Sequence, residues 1–354
     1  MWGRAVTVVI LGAGINGLCT AWHLLRRLSA DAIVLVDQHP DGHSYGSSHG
    51  EERITRSSYA TPEGVRAMTR AREELWPALE ADLGAALIAP GPAVFWGPEG
   101  GPMPSYAAAV REGGARVDEI DPTEARRRFP HMRFADAERV LHDHTAGVIA
   151  AGRAMRALQG RLAAAGVRRV TARVDALEED ADGVTLVGAA VRGERVVVAA
   201  GPWTRRLLPA LSHRARPARQ HVGYWAADVA PGRSPAWVHL GVDGLHYGLP
   251  TFDGRMKAAW HGTGTGDDDP DRVVPPDPAE LARVEARLRD WFTPGLGPRV
   301  GAHTCFYTNA PGDALHVGPA PGYTRVCAMT ACSGHAFKLA PLSGEAAAEW
   351  VVGG

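Results

Sequence analysis

Lysine is almost missing from this chain. Its 354 residues hold only Lys257 and Lys338, although Lys and Arg together number 38. Arginine carries nearly all the positive charge, a bias that reads as genomic composition and makes each lysine a position to explain. An excess of charge of either sign is also missing. Thirty-eight basic and 39 acidic residues leave a formal net charge of −1, which offers no electrostatic footing for nucleic acid or an anionic membrane. Cysteine is scarce. Cys19, Cys305, Cys327 and Cys332 make no C-x-x-C pair and no zinc spacing. That excludes a disulfide-built scaffold and fits a reducing cytoplasm. No apolar run is long enough to span a bilayer. Arg4 before an apolar run mimics the start of a signal peptide, but Gly12 and Gly14 interrupt the run, so we expect no leader there. Repeats and low-complexity linkers are absent.

What is present begins at once. The run Ala5–Leu11 is rich in β-branched residues and short enough for a buried strand. Gly12, Gly14 and Gly17 follow in G-x-G-x-x-G spacing, and Ile15, Leu18, Cys19, Trp22 and Leu25 recur at helical spacing. A second strand over Ile33–Val36 ends on Asp37. In a dinucleotide fold each part has a task. Gly12 allows the tight turn, Gly14 lets backbone approach a pyrophosphate, and Gly17 lets helix and strand pack closely. The helix N-terminus offers unpaired N–H groups to the phosphates, and Asp37 is placed for a ribose. This motif does not by itself separate FAD from NAD.

Length suggests two domains. Residues 38–56 read as a polar, histidine-bearing loop, with Arg53 and Arg56 spaced for one side of a short helical turn. Thr61, Pro62 and Glu63 start a helix whose buried stripe is Val65, Met68, Leu75 and Leu79. From about Gly84 the texture turns to short apolar runs broken by Gly and Pro. Asp121 caps a short helix ending near Pro130. A helix marked by Met155, Leu158 and Leu162 stops at Gly166. Strands follow at Val167–Val174, Val184–Val187 and Arg195–Ala199, the last running into Ala200-Gly201, which suits close backbone approach to a cofactor. His246–Pro250 and Met256–Trp260 form a hairpin around Asp253-Gly254. Asp267, Asp268 and Asp269 read as a solvated loop, with cation binding the alternative. Asp277 caps a helix burying Leu281, Val284, Leu288 and Trp291. His142 and His144, lacking a carboxylate cluster in sequence, read as loop residues rather than metal ligands. Two short strands near Gly318 and Val326 and a last helix close the chain.

Five segments resemble one family in order along the chain. They are His49-Gly50-Glu51-Glu52-Arg53-Ile54-Thr55-Arg56, Glu73-Glu74-Leu75-Trp76, the hairpin from Tyr247 through Lys257 to His261, Thr304-Cys305-Phe306-Tyr307-Thr308, and Ser333-Gly334-His335-Ala336-Phe337-Lys338. The family is the monomeric sarcosine oxidase and N-methyltryptophan oxidase group of the D-amino-acid-oxidase-like flavoproteins. The resemblance implies FAD, joined covalently through Cys305. It places Lys257 where oxygen is reduced, and His49 and Arg53 beside the flavin ring as positive charge. It gives Arg56 and Lys338 to a substrate carboxylate, and Tyr247 and His261 to the wall of the substrate space. Gly334 belongs to the C-terminal flavin loop. Three departures stand out: Ser48 precedes His49 where the family has paired histidines, Cys332 replaces an aromatic residue, and the hairpin before Lys257 is one residue shorter. They leave flavin chemistry in place and the substrate's side chain open.

The expected fold is α/β. A Rossmann-like FAD-binding domain (1–84, 147–215 and 299–354) is interleaved with an α+β substrate domain (85–146 and 216–298) built on a mainly antiparallel sheet. The expected activity is FAD-dependent oxidation of a secondary or cyclic amino acid to an imine, with O2 reduced to hydrogen peroxide, in a cytoplasmic monomer with no nucleic-acid or membrane partner and no metal. The alternatives are a dehydrogenase passing electrons to another carrier, and a flavin-binding subunit without turnover of its own.

Overall fold

The computed structural model describes residues 7–264, 266–330 and 333–353; the N-terminal residues through Val6, with Arg4 and Ala5 among them, and Cys332 lie outside the described residues. The strand Val8–Leu11 is buried at every position. It lies at the centre of a six-stranded sheet, between Arg195–Val198 and Ile33–Asp37, and both pairings are parallel. A strand enclosed on both sides and both faces must be apolar throughout, which explains the run Val-Val-Ile-Leu. Val326–Thr330 and Arg168–Thr171 flank this core, and His316–Pro319 forms an antiparallel edge. One face of the sheet packs on the helices Ile15–Leu25, Ala151–Ala164 and Ala336–Gly353. The other packs on a small three-stranded sheet centred on Val184–Val187. The helix Ile15–Leu25 is buried nearly all round because the C-terminal helix covers its outer side. Gly344 permits that contact, since a Cβ there would meet the Cys19 carbonyl carbon at 2.7 Å and the Thr20 nitrogen at 2.8 Å.

The second sheet has eight strands. Its order is Arg299–Asn309, Arg216–Ala226, Arg255–His261, Gly244–Pro250, Ala236–Gly241, Ala93–Pro98, Glu138–Asp143 and Val117–Ile120. Only the pair joining Ala236–Gly241 to Ala93–Pro98 is parallel, so the sheet is mainly antiparallel, as expected. Its back packs on an aromatic core of Trp96, Trp225, Trp237 and Trp291, the last from the helix Pro278–Trp291.

Several expectations need correction. The strand Arg299–Asn309 pairs with Arg216–Ala226 over its full length, so it belongs to the eight-stranded sheet, and the chain leaves that sheet after Asn309 rather than at residue 298. Residues 52–55 are a strand, not a loop or helical turn, and pair with Gly147–Ala150 in a third small sheet. Their polarity concealed them: Glu52 is buried, but against a cavity rather than an apolar core. The segment 266–272 is an exposed loop at Asp267 and Asp269, as expected, and its carboxylates pair with arginines. Asp267 pairs with Arg205 and Arg216, and Asp269 and Asp271 with Arg206. His142 lies on the strand Glu138–Asp143, directly across from Asp118, and their ligating atoms and that of His144 fall within 4.8 Å of one another. The Arg128 guanidinium donates to His142 Nδ1 at 2.9 Å and lies 3.6 Å from Asp118, so the trio already faces a fixed positive charge.

The Gly344 contact generates a test that needs no ligand. Gly344→Ala should lower stability by about 1–3 kcal/mol through overpacking against backbone, read as a fall in the thermal unfolding midpoint.

Candidate active site

The glycine turn and the front of the eight-stranded sheet face one cavity of about 510 Å³. At one end Gly12 has φ +110°, and a Cβ there would lie 2.4 Å from the Ala199 carbonyl oxygen. A Cβ on Gly17 would lie 1.9 Å from the Gly12 oxygen. These two glycines let the helix start directly beneath the strand ends. Gly14 caps the helix with extended backbone, and Ser48 Oγ sits beside it, accepting the Ile15 N–H at 3.1 Å. Asp37 accepts the Ala13 N–H at 2.7 Å and the His39 N–H at 2.9 Å, which aims its carboxylate across the turn and leaves further lone pairs for a hydroxyl pair. Ala200 and Gly201 line the same wall.

At the other end the site is assembled by strand alternation. On Arg299–Asn309 His303, Cys305 and Tyr307 are spaced by two and share a face toward the cavity, which Phe306 and Thr308 also line. Lys257 and His261 share a face of their strand, and Leu245, Tyr247 and Leu249 do so on the next. Register lines them up, with Leu249 opposite Lys257 and Leu245 opposite His261. The C-terminal segment closes this end with Gly334 and His335 from its loop and Lys338 from the start of the helix Ala336–Gly353. Gly334 has φ +88°, and a Cβ there would lie 2.5 Å from the Tyr307 ring.

The electrostatics are those of buried cations. Lys257 is 3% exposed, Arg56 5% and Lys338 6%. Lys257 Nζ donates to the Glu52 backbone oxygen at 2.9 Å. Burial, and next the Arg53 charge, push its pKa down to about 7, against the Glu52 carboxylate and Cys305. Arg53 donates to the backbone oxygens of Glu52, Ser47 and His49 at 2.8, 2.9 and 2.6 Å, so its guanidinium both holds the loop and charges the cavity. Arg56 lies 5.1 Å over the Phe95 ring, and its buried Nε has no hydrogen-bond partner among the described residues.

The histidines respond by staying neutral. Burial and then Arg53 push His49 down to about 4. Burial, Arg56 and Lys338 push His261 to about 4. Burial, Lys257, His49 and Arg53 push His303 to about 3. His49 therefore lines the cavity as expected but does not bring the positive charge expected of it. Its Nε2 donates to the Thr304 oxygen at 3.0 Å, and its buried Nδ1 has no partner among the described residues. Cys305 is likewise only partly as expected. Arg53 and Lys257 both favour its thiolate, but burial outweighs them and raises its pKa. Burial also raises Tyr247 to about 12, and Tyr307, which hydrogen-bonds to it, well above the usual phenol value. His261 Nδ1 meets the Tyr307 hydroxyl at 3.1 Å.

Every site residue expected from sequence lines this cavity except Gly17, whose role is packing behind it. Sequence reading missed Ser48 as a contact of the helix start, and it missed Glu52, His303 and Asp143. Alternation from Cys305 was the available signal for His303. Asp143 carried none. It is fully buried and accepts from the Ser57 and Ser58 N–H groups and the Ser58 hydroxyl through one oxygen, and from the Thr145 N–H and hydroxyl through the other. This knot fixes the backbone immediately after Arg56.

The residues present fit a dinucleotide bearing a flavin. A cradle of backbone beside the glycines suits phosphates, and an orphaned His49 Nδ1 and Arg56 Nε at the far end await polar partners. Asp143→Ala should cost about 3 kcal/mol by stranding buried N–H groups; thermal unfolding reads that loss, and the affinity for a small carboxylate anion should fall with it as Arg56 loosens.

Comparison with known proteins agrees with this geometry. The profile of the FAD dependent oxidoreductase family matches residues 7–350. Peroxisomal sarcosine oxidase of Homo sapiens is 31% identical over 95% of this chain and 90% of its own. N-methyl-L-tryptophan oxidase of Citrobacter koseri is 26% identical over 98% and 94%. Among solved structures, NikD, an amino acid oxidase of nikkomycin biosynthesis, superposes with a TM-score of 0.83 at 24% identity over 98% of this chain and 94% of its own, a likeness of fold.

Proposed function

The chain belongs to the FAD-dependent oxidoreductase family, and on that footing we propose that it is an FAD-dependent oxidase of a secondary or cyclic amino acid. The observation that carries this reading is the convergence of Arg56 and Lys257, both buried, on one cavity with the glycine turn. FAD held there supplies the two-electron acceptor that oxidises the substrate's C–N bond to an imine and returns the electrons to oxygen as peroxide. The chain's own residues hold and orient. The N-terminus of the helix Ile15–Leu25 and Ser48 receive the pyrophosphate, and Asp37 takes the ribose. Arg56 binds the substrate carboxylate with its planar fork, with Lys338 beside it. His261, neutral and fixed by Tyr307, accepts a hydrogen bond from the amine or passes one on; Tyr247 walls the same space. Lys257 supplies a fixed cation where neutral oxygen becomes an anion, and Arg53 adds to it. Cys305 stands in the same wall as the thiol for a covalent flavin link, supported by the family likeness of its segment and by the cations around it. Few cysteines support a cytoplasmic chain and balanced charge one that acts on small molecules, while the resemblance to the monomeric sarcosine oxidases supports a monomer.

Anaerobic bleaching of the flavin by a panel of N-methyl and cyclic amino acids tests the reading; no bleaching by any carboxylate-bearing amine sinks it. Peroxide yield under air separates an oxidase from a dehydrogenase. Arg56→Gln should raise KM by about 10–100-fold through loss of a charged hydrogen bond. Lys257→Met should slow reoxidation by about 100-fold or more while reduction changes little. Lysine is cationic below its midpoint, so the rate with oxygen should fall as pH rises through about 7. Cys305→Ala should release all flavin to the supernatant on acid precipitation, whereas the native chain keeps its yellow colour in the pellet.

A further inference from the structure

Glu52 has no part in the chemistry described so far, yet it is only 3% exposed. A buried carboxylate needs compensation. It stands one residue before Arg53 on the strand Glu52–Thr55, and its backbone oxygen is the one that holds Lys257 Nζ at 2.9 Å. The Phe252 N–H, in the hairpin turn whose return strand carries Lys257, favours the charged form of the Glu52 carboxylate. A second cavity of about 420 Å³ adjoins the first, and Glu52, His49 and His303 line both. Tyr224, Asp253 and Arg255 are among the residues that line the second cavity alone.

The charges around the two residues sort simply. Burial and Arg53 oppose the charge on Lys257; Glu52 leads the groups that favour it, ahead of Cys305. Burial, Asp253 and Glu51 oppose the charge on Glu52; Lys257 leads those that favour it, ahead of the Phe252 N–H. Tyr224 and Arg255 also face Glu52, while His49 and His303, beside Lys257, are neutral. Glu52 and Lys257 both line the first cavity, with the Glu52 backbone held on Lys257 Nζ at 2.9 Å, so each is placed to support the other's ionised form. We propose that Glu52 is the charge partner of Lys257, a positioning residue that keeps the lysine cationic for the reaction with oxygen from its place between the two cavities. This rests on the role given to Lys257 above.

The scarcity of lysine makes the test direct. Holoenzyme grown with lysine labelled with 13C at the ε carbon shows two side-chain signals, and the one lost in Lys257→Met is Lys257. In Glu52→Gln its titration midpoint should fall by about one pH unit or more, and in Glu52→Asp it should return toward the native value. After photoreduction, which needs no substrate, the pH profile of the reaction with oxygen should move down in step. An unchanged midpoint in Glu52→Gln overturns the pairing, whether or not the enzyme reacts with oxygen. A lowered midpoint with an unmoved oxygen profile keeps the pairing but removes its purpose, and counts against Lys257 as the oxygen-side cation. If Glu52→Gln does not fold, the reciprocal measurement serves. In Lys257→Met the infrared carboxylic-acid band of a buried acid should persist to higher pH than in the native chain, and a band that titrates unchanged overturns the proposal.

Discussion

Like charge buried beside like charge is the condition on which this molecule is organised. Lys257, Arg56 and Lys338 are buried and line one cavity, and Arg53 lines it with them. Two cations a few ångströms apart repel by several kcal/mol at the effective dielectric of a protein, about 4 kcal/mol at ~4 Å. The fold offsets part of this. Arg53 is spent on three backbone oxygens, Lys257 shares one of them, that of Glu52, and the neighbouring imidazoles give up their protons. What is left uncompensated is a potential that favours anions. Under the proposed function those anions are a cofactor's phosphates, a substrate carboxylate and the products of oxygen reduction.

Holding such charges in place takes two sheets that supply different things. The parallel sheet supplies a precise backbone turn. Its central strand is apolar on both faces, so the turn after it can rise only where Gly12 and Gly17 let backbone touch backbone. The antiparallel sheet supplies side chains. On Arg255–His261 its period of two sends Met256 and Ala258 into the tryptophan core and Lys257 and His261 into the cavity, and on Arg299–Asn309 it brings His303, Cys305 and Tyr307 to the same cavity. Asp143, at the end of a strand in the same sheet, ties down the segment that carries Arg56.

The parts legible in the sequence were those written in a local code. Glycine spacing, the apolar strands, the caps at Thr61, Asp121 and Asp277, and the hairpin at Asp253-Gly254 all appear where local chemistry places them. The strand Glu52–Thr55 was hidden because its pattern lacks the apolar alternation of a core strand. The placement of Arg299–Asn309 was hidden because a strand does not announce its partner. The protonation of His49 was hidden because Arg53 and burial act on it through space.

By itself the sequence determined the dinucleotide turn, the class of fold and the roster of cationic residues, since each depends on neighbours within a few positions or on residue type alone. Tertiary structure alone decided which of those residues meet, that Glu52 and His303 join them, that Asp143 anchors Arg56, and that the histidines stand neutral. Those outcomes depend on burial and on Coulomb interactions between residues far apart in the chain, such as Glu52 and Lys257, and no local pattern encodes the distance between them.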